Sequence, residues 1–129
     1  MTAPSVVLQL APLDRIALTM EHVAKEPKLI RRVGDKGAAI VAYVCRELAA
    51  NVAEHGQSNR PGRMELHDGL QIKILFPGPE FDSTDCAGGS GGLTRCRELL
   101  KRSAVRWTHD HRDGENITTL VFSKPHWYG

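Results

Sequence analysis

The dipeptide Asp113-Gly114 constrains the fold of this 129-residue chain most strongly. Asp-Gly between two alternating segments is a strong signal for a β-hairpin with a two-residue turn. The flanking segments 104–110 and 117–124 alternate apolar with polar residues. A two-residue turn places Trp107 opposite Leu120 and leaves one apolar face on the hairpin. The end of the chain is therefore predicted to be an antiparallel hairpin with one face in a core.

Another alternating segment predicts a second hairpin earlier in the chain. Residues 63–76 carry apolar side chains at every second position on both sides of a polar, glycine-containing turn. A three-residue loop at 67–69 pairs Leu66 with Leu70 and keeps the apolar residues on one face. A short strand at 5–10 shows the same alternation.

Three further segments have the apolar period of an amphipathic helix. The first runs from Pro12 until Pro27 forbids continuation. A basic connection at 28–36 follows, in which Asp35 is expected to cap the second helix. That second helix is the longest, at 37–55, and the third spans 93–101.

The order of these elements predicts the fold class. Helices and strands do not alternate strictly, and 129 residues suit one core. We expect a single domain over 1–129 of the α+β class. Its two layers would be a mainly antiparallel mixed sheet of about five strands and three helices on one face.

Composition restricts the environment and the partners. The chain has 17 Lys+Arg and 15 Asp+Glu, a net charge of +2. It has no apolar run of about 18 residues, which a membrane span needs, and its first four residues lack the basic region of a signal peptide. Its three cysteines include no C-x-x-C pair. We therefore expect a cytoplasmic protein with no nucleic-acid partner, no membrane association and no disulfide framework.

The second helix carries a set of polar residues that suits catalysis. Glu47, Asn51 and His55 are four residues apart and fall on one stripe beside the apolar stripe. A carboxylate, an amide and an imidazole aligned in this way can hold a divalent cation and polarise a water. A solvated polar helix face is the alternative interpretation.

A glycine-rich segment precedes the third helix. Its residues are Gly88, Gly89, Ser90, Gly91 and Gly92. Glycines let backbone amides turn toward an anion, and a helix N-terminus adds positive partial charge, so this segment is a candidate phosphate cradle. The alternative is a flexible loop.

Together these motifs resemble those of the GHKL (histidine-kinase-like) ATPase superfamily, which includes gyrase, histidine kinases and mismatch-repair proteins. Residues 45–56 resemble its N-box and look closest to the small anti-sigma-factor serine/threonine kinases. The resemblance implies that Glu47 is the general base, that Asn51 is the Mg²⁺ ligand and that His55 belongs to the nucleotide site. The fold that it implies is the Bergerat-type sandwich.

Three more segments extend the resemblance over nearly the whole chain. Residues 88–93, which end in Gly92-Leu93, are similar to the second glycine box that wraps the triphosphate. Residues 116–124 resemble the closing strand, in which Thr118 matches a threonine near the adenine. Gly78 falls in the segment that corresponds to the first glycine box.

Two positions depart from the family pattern. Phe76 stands where the family has the aspartate that binds the adenine amino group, and Ile117 stands where the last box has glycine. A site that loses a buried polar contact loses about 1–3 kcal/mol of binding free energy. Weakened, altered or lost ATP binding is therefore expected.

The resemblance leads to two functional hypotheses. In the first, the chain is a regulatory, ATP- and Mg²⁺-binding serine/threonine kinase-like domain of the anti-sigma type. It would bind or phosphorylate a protein partner, either an antagonist or a sigma factor, in bacterial partner-switching signalling, and could form a homodimer. In the second, it is a degenerate, non-catalytic interaction module of the same fold that no longer binds nucleotide.

Overall fold

The computed structural model describes residues 6–10, 16–54, 62–67, 71–80, 91–103 and 105–122, with the backbone alone at 16–19, 49–54 and 91–94. The element order agrees with the prediction. In chain order the elements are the strand β1 (Val6–Gln9), the helices α1 (Ile16–Ala24) and α2 (Pro27–Glu54), the strands β2 (Arg63–His67) and β3 (Gln71–Pro77), the helix α3 (Gly91–Arg102), and the strands β4 (Val105–Arg112) and β5 (Glu115–Phe122).

The five strands form one sheet in the order β1-β2-β3-β5-β4. Each neighbouring pair is antiparallel. The predicted α+β architecture is confirmed, and the part of the sheet that the structure describes is antiparallel throughout.

One face of the sheet is apolar and forms a common core with the helices. Burying a large aliphatic side chain stabilises a fold by about 1.5–3 kcal/mol, so this interface supplies much of the stability. The sheet contributes Met64, Leu66, Ile72, Ile74, Phe76, Leu120 and Phe122. The helices contribute Val23, Leu29, Val33, Val41, Val44, Cys45, Leu48, Cys96 and Leu100.

The second hairpin has the predicted turn. Asp113 and Gly114 have φ angles of 53° and 76°, so both central residues are left-handed, as a type I′ turn requires. Trp107 pairs with Leu120, as predicted. The ladder reaches the turn itself, so both strands extend two residues closer to it than the alternation indicated.

The first hairpin has a different register from the predicted one. Leu66 pairs with Ile72 rather than with Leu70, so the three-residue loop is at 68–70, outside the described residues, and not at 67–69. The two registers differ by two residues and put the same side chains in the core. Apolar alternation therefore could not distinguish them.

The predicted connection at 28–36 is wrong, because these residues belong to α2. The helix begins at Pro27, a residue well suited to a first helical position. Leu29 and Val33, four residues apart, are both fully buried and hold this segment on the core. The helical conformation is interrupted at Gly34, with φ 77° and ψ 172°.

The residue expected to cap the second helix stands at the start of the second helical segment. Asp35 directly follows the non-helical Gly34, and its role as a cap stays a prediction. The bend also brings two turns close together, since a Cβ atom on Gly37 would lie 2.7 Å from the Cβ of Val33.

Candidate functional site

Glu47 lies in the second half of α2, next to the buried Leu48. Its side chain is 16% exposed, and its Oε1 accepts a hydrogen bond from Arg46 Nη1 at 3.3 Å. The apolar stripe of the helix packs on the core, so this carboxylate is at the border between the helix layer and solvent. A ligand that enters along this border can reach it.

The other two residues of the predicted helical stripe are described less fully. Asn51 lies in the unbroken helix, one turn after Glu47, so the predicted four-residue spacing is confirmed. The side chain of Asn51 and the whole of His55 lie outside the described residues.

The glycine-rich segment is divided at the start of α3. Gly91, Gly92 and Leu93 belong to the first turn of that helix, which begins two residues earlier than expected. Gly88, Gly89 and Ser90 lie outside the described residues. The distance between this segment and Glu47 therefore stays a prediction.

Thr118 is buried on the inner face of β5, opposite His109 of β4. Both ring nitrogens of His109 are buried, and neither has a hydrogen-bond partner. A buried polar group without a partner costs about 1–3 kcal/mol. This pair therefore suits a polar ligand that enters from the helix side of the sheet.

His109 was not a predicted site residue, although the sequence contains the signal. The alternation of β4 places Val105, Trp107 and His109 on the same face. An imidazole at the third inward position of an edge strand is unusual for a core. No motif of the resembled family includes it, so motif matching passes over it.

Gly78 lies directly after β3, with φ 145°, an angle that side chains rarely tolerate. Its N–H donates to the carbonyl of Gly114 at 2.9 Å, and its carbonyl accepts from His111 Nε2 at 2.9 Å. Asn116 Nδ2 donates to the carbonyl of Pro79 at 2.8 Å. Two polar side chains thus attach the segment after β3 to β4 and β5.

Phe76, the position at which the resemblance implied a departure from the family pattern, is buried on the inner face of β3. Its ring packs so closely against Gly62 that a Cβ atom there would come within 2.5 Å of it. The surroundings of this position are therefore apolar.

A polar network lies on the opposite face of the sheet. Arg63 makes a two-pronged ion pair with Glu115, one arm at 3.0 Å, and its Nε donates to Glu65 at 3.1 Å. His67 Nε2 donates to the other oxygen of Glu65 at 2.9 Å. Burial would raise the pKa of Glu65, but the hydrogen bonds from His67 and Arg63 outweigh it and lower that pKa.

This network borders a cleft of about 520 Å³ at one end of the sheet. None of the predicted site residues that the structure describes lines it. The lining residues are Gln9, Gly62, Arg63, Pro77, Asp113, Gly114 and Glu115.

The thiols and metal-binding side chains of the described region indicate no second chemistry. Cys45 and Cys96 are buried free thiols, and burial, followed by the neighbouring Cys96, raises the pKa of Cys45. Among the residues that the structure describes, no three His, Cys, Asp or Glu side chains cluster as a metal site would require.

Comparisons with known protein families, curated proteins and solved structures found no match to this chain. Within the described ranges, none of the helices combines the length and the apolar character that crossing a membrane requires.

Proposed function

We propose that this chain is a regulatory nucleotide-binding domain of the anti-sigma type, which binds or phosphorylates a protein partner in bacterial partner-switching signalling. The proposal combines the N-box resemblance with one structural observation. That observation is the half-buried His109, which lies beside Thr118 and whose two buried ring nitrogens have no hydrogen-bond partner in the part of the chain that the structure describes.

The chemistry of this pair suits a nucleobase. A neutral imidazole donates from one ring nitrogen and accepts at the other. An adenine edge offers an amino donor next to a ring-nitrogen acceptor, so it could satisfy one ring nitrogen of His109, whichever tautomer is present. Thr118 is the residue that resembles the family's threonine near the adenine, which supports base binding at this point.

The α2 residues would carry the phosphate chemistry. Bound Mg²⁺-ATP would supply the transferable phosphoryl group. Asn51 offers an amide oxygen, a ligand type that Mg²⁺ accepts, and Glu47 would take the proton from the attacking hydroxyl of a serine or threonine. Phosphoryl transfer depends mainly on positioning and charge neutralisation, so few residues suffice.

Phe76 favours the second candidate function, a non-catalytic interaction module. An apolar ring cannot accept a hydrogen bond from the adenine amino group, so Phe76 cannot make the contact that an aspartate makes with adenine in the resembled family. Either His109 replaces that contact, or the fold has kept its partner surface and lost nucleotide.

Thermal unfolding with nucleotide distinguishes these alternatives. A ligand that binds the native state raises the apparent melting temperature. We expect about 1 mM ATP with Mg²⁺ to stabilise the protein, and His109→Leu to abolish this shift. The free variant should be no less stable than the parent, because the substitution removes an unsatisfied buried group.

The control is His22→Leu, which changes an exposed histidine in α1 and should leave the shift intact. GTP and CTP in parallel test base preference, and Asn51→Ala tests the Mg²⁺ dependence. If no nucleotide shifts the melting temperature of the parent protein, nucleotide binding is excluded and the interaction module remains.

Glu47→Gln tests catalysis separately from binding. We expect the variant to keep the ATP-induced shift and to lose about 100-fold or more in phosphate transfer to a serine-containing partner protein. Transfer at the parental rate would show that Glu47 is not the base.

A further inference from the structure

β4 is an edge strand in the part of the sheet that the structure describes. It has eight residues and, among the strands that the structure describes, it pairs only with β5. An open edge presents backbone N–H and C=O groups that can pair with a strand from another chain. A recurring mode of peptide recognition adds an extended segment to such an edge.

A groove runs between this edge strand and α3. Its volume is about 210 Å³, enough for one large apolar side chain. The buried Leu100 and Val105 and the partly exposed Trp107 provide apolar contact surface. Arg97 and Lys101, one helical turn apart and exposed, form its basic rim.

Positive charge is concentrated around this groove. Residues 95–102 of α3 carry four exposed cations and one carboxylate, whereas the whole chain has a net charge of only +2. Arg106 adds an exposed cation on the outer face of β4. An acidic partner is therefore favoured on electrostatic grounds.

We propose that the β4 edge and the α3–β4 groove form a docking site for an extended acidic segment of another protein. Side chains of an added strand alternate between the two faces of the sheet. Inward side chains would enter the groove beside Trp107, so an aliphatic residue fits there. Carboxylates before and after it would lie on the outer face, where Arg106 is exposed, and the long side chains of Arg97 and Lys101 at the groove rim would add positive charge close to the segment.

This site is independent of nucleotide binding, because it uses none of the residues of the inner-face site. A second copy of this chain is a poor occupant. Pairing two β4 edges would bring two cation-rich α3 helices together, and like charges repel. A nucleic acid would use the charges but not the backbone groups of the edge strand.

Fluorescence anisotropy with a labelled peptide tests the proposal on the full chain. The probe has about eight residues in which glutamate alternates with leucine, so that it is extended, acidic and apolar on one face. Two further peptides are N-methylated at alternate amides, one at even and one at odd positions. Methylation removes the ladder hydrogen bonds on one edge while charge is unchanged.

The diagnostic variant is Arg97→Glu/Lys101→Glu, and the matched control is Lys28→Glu/Arg31→Glu. Both reverse two exposed cations on a helix, so the change in total charge is identical. We expect the groove variant to weaken binding by about tenfold or more, and the control variant by less than about threefold. One of the methylated peptides should bind about tenfold more weakly than the parent peptide.

Four results would overturn the proposal. The parent protein fails to bind the peptide at about 1 mM, a concentration that detects even weak complexes. Both double variants weaken binding equally. Both methylated peptides bind as well as the parent peptide. A single-stranded oligonucleotide displaces the peptide, and the groove variant but not the control variant weakens the binding of that oligonucleotide. This result would assign the site to nucleic acid.

Discussion

At the scale of single residues, two histidines on opposite faces of the sheet, the buried His67 and the half-buried His109, differ in their hydrogen bonds. His67 lies on the outer face and donates to Glu65. His109 lies on the inner face, and its buried ring nitrogens have no partner. Because proteins satisfy nearly all buried polar groups, the unsatisfied ring is the better indicator of a ligand.

The Glu65 network makes stability depend on pH. The pKa of Glu65 is lower in the folded protein than its ordinary value of 4.5. The ionised carboxylate therefore stabilises the fold at a pH above 4.5, and this stabilisation is lost as the pH falls through the lowered pKa. We expect Glu65→Gln to lower the free energy of unfolding by about 1 kcal/mol at pH 7.

Urea unfolding at neutral pH and at about pH 3 measures this effect. The difference between parent and variant should shrink at the acidic pH, because the stabilisation by the carboxylate is lost as the pH falls toward and through its lowered pKa. Glu21→Gln is the control, because Glu21 pairs with Lys25 at an exposed site and should change stability by no more than about 0.5 kcal/mol. A difference that is constant with pH would contradict the assignment.

Residue-level prediction succeeded where a helix fixes the spacing. The four-residue interval between Glu47 and Asn51 follows directly from helical geometry and is present in α2. Alternation along β4 indicates that His109 points inward, but its significance depends on the lack of a hydrogen-bond partner among the described residues, which no pattern of neighbouring residues reports.

At the scale of elements, the bend in α2 is the largest departure from expectation. Pro27 was interpreted only as the end of the first helix, although proline is equally suited to begin the next one. Glu26 supports that start, since its carbonyl accepts from the N–H groups of Leu29 and Ile30 at 3.1 and 3.0 Å. Gly34 is non-helical and separates two helical segments that meet at a kink.

Gly34 is the residue that permits this bend. Its φ of 77° and ψ of 172° lie in a region open almost only to glycine. We expect Gly34→Ala to destabilise the protein by about 1–3 kcal/mol, because alanine must either adopt a strained backbone or straighten the helix. Denaturant unfolding monitored by circular dichroism measures the change.

Lys36→Ala provides the comparison for this prediction. It places alanine two residues away at an exposed helical position and should change stability by less than about 0.5 kcal/mol. A stabilised Gly34→Ala protein would show that the bend is not required.

At the scale of the whole molecule, the sequence patterns predicted the layers but not the order of the strands. Alternation reports which face of a strand is buried, and both hairpins were recognised on that basis. The contact between β3 and β5 joins segments about 40 residues apart across α3, and no local pattern encodes it. Local rules likewise could not place β1 beside β2.

Strand order predicts how stability is distributed. β3 and β5 lie between other strands, whereas β1 has four residues and lies at an edge. We expect the amides of β3 and β5 to exchange with solvent most slowly and those of β1 fastest among the strands, because edge strands open without global unfolding. Hydrogen exchange followed by mass spectrometry tests this, and equal protection of β1 and β3 would contradict it.

The tip of the second hairpin offers a position for engineering. A Cβ atom on Gly114 would meet nothing within 4 Å, and Asp113 beside it is exposed. Exposed turn tips tolerate inserted sequence best. An epitope or a fluorescent reporter inserted between these two residues would therefore extend away from the protein. Because both residues line the 520 Å³ cleft, the signal of such a reporter would change when a ligand occupies the cleft.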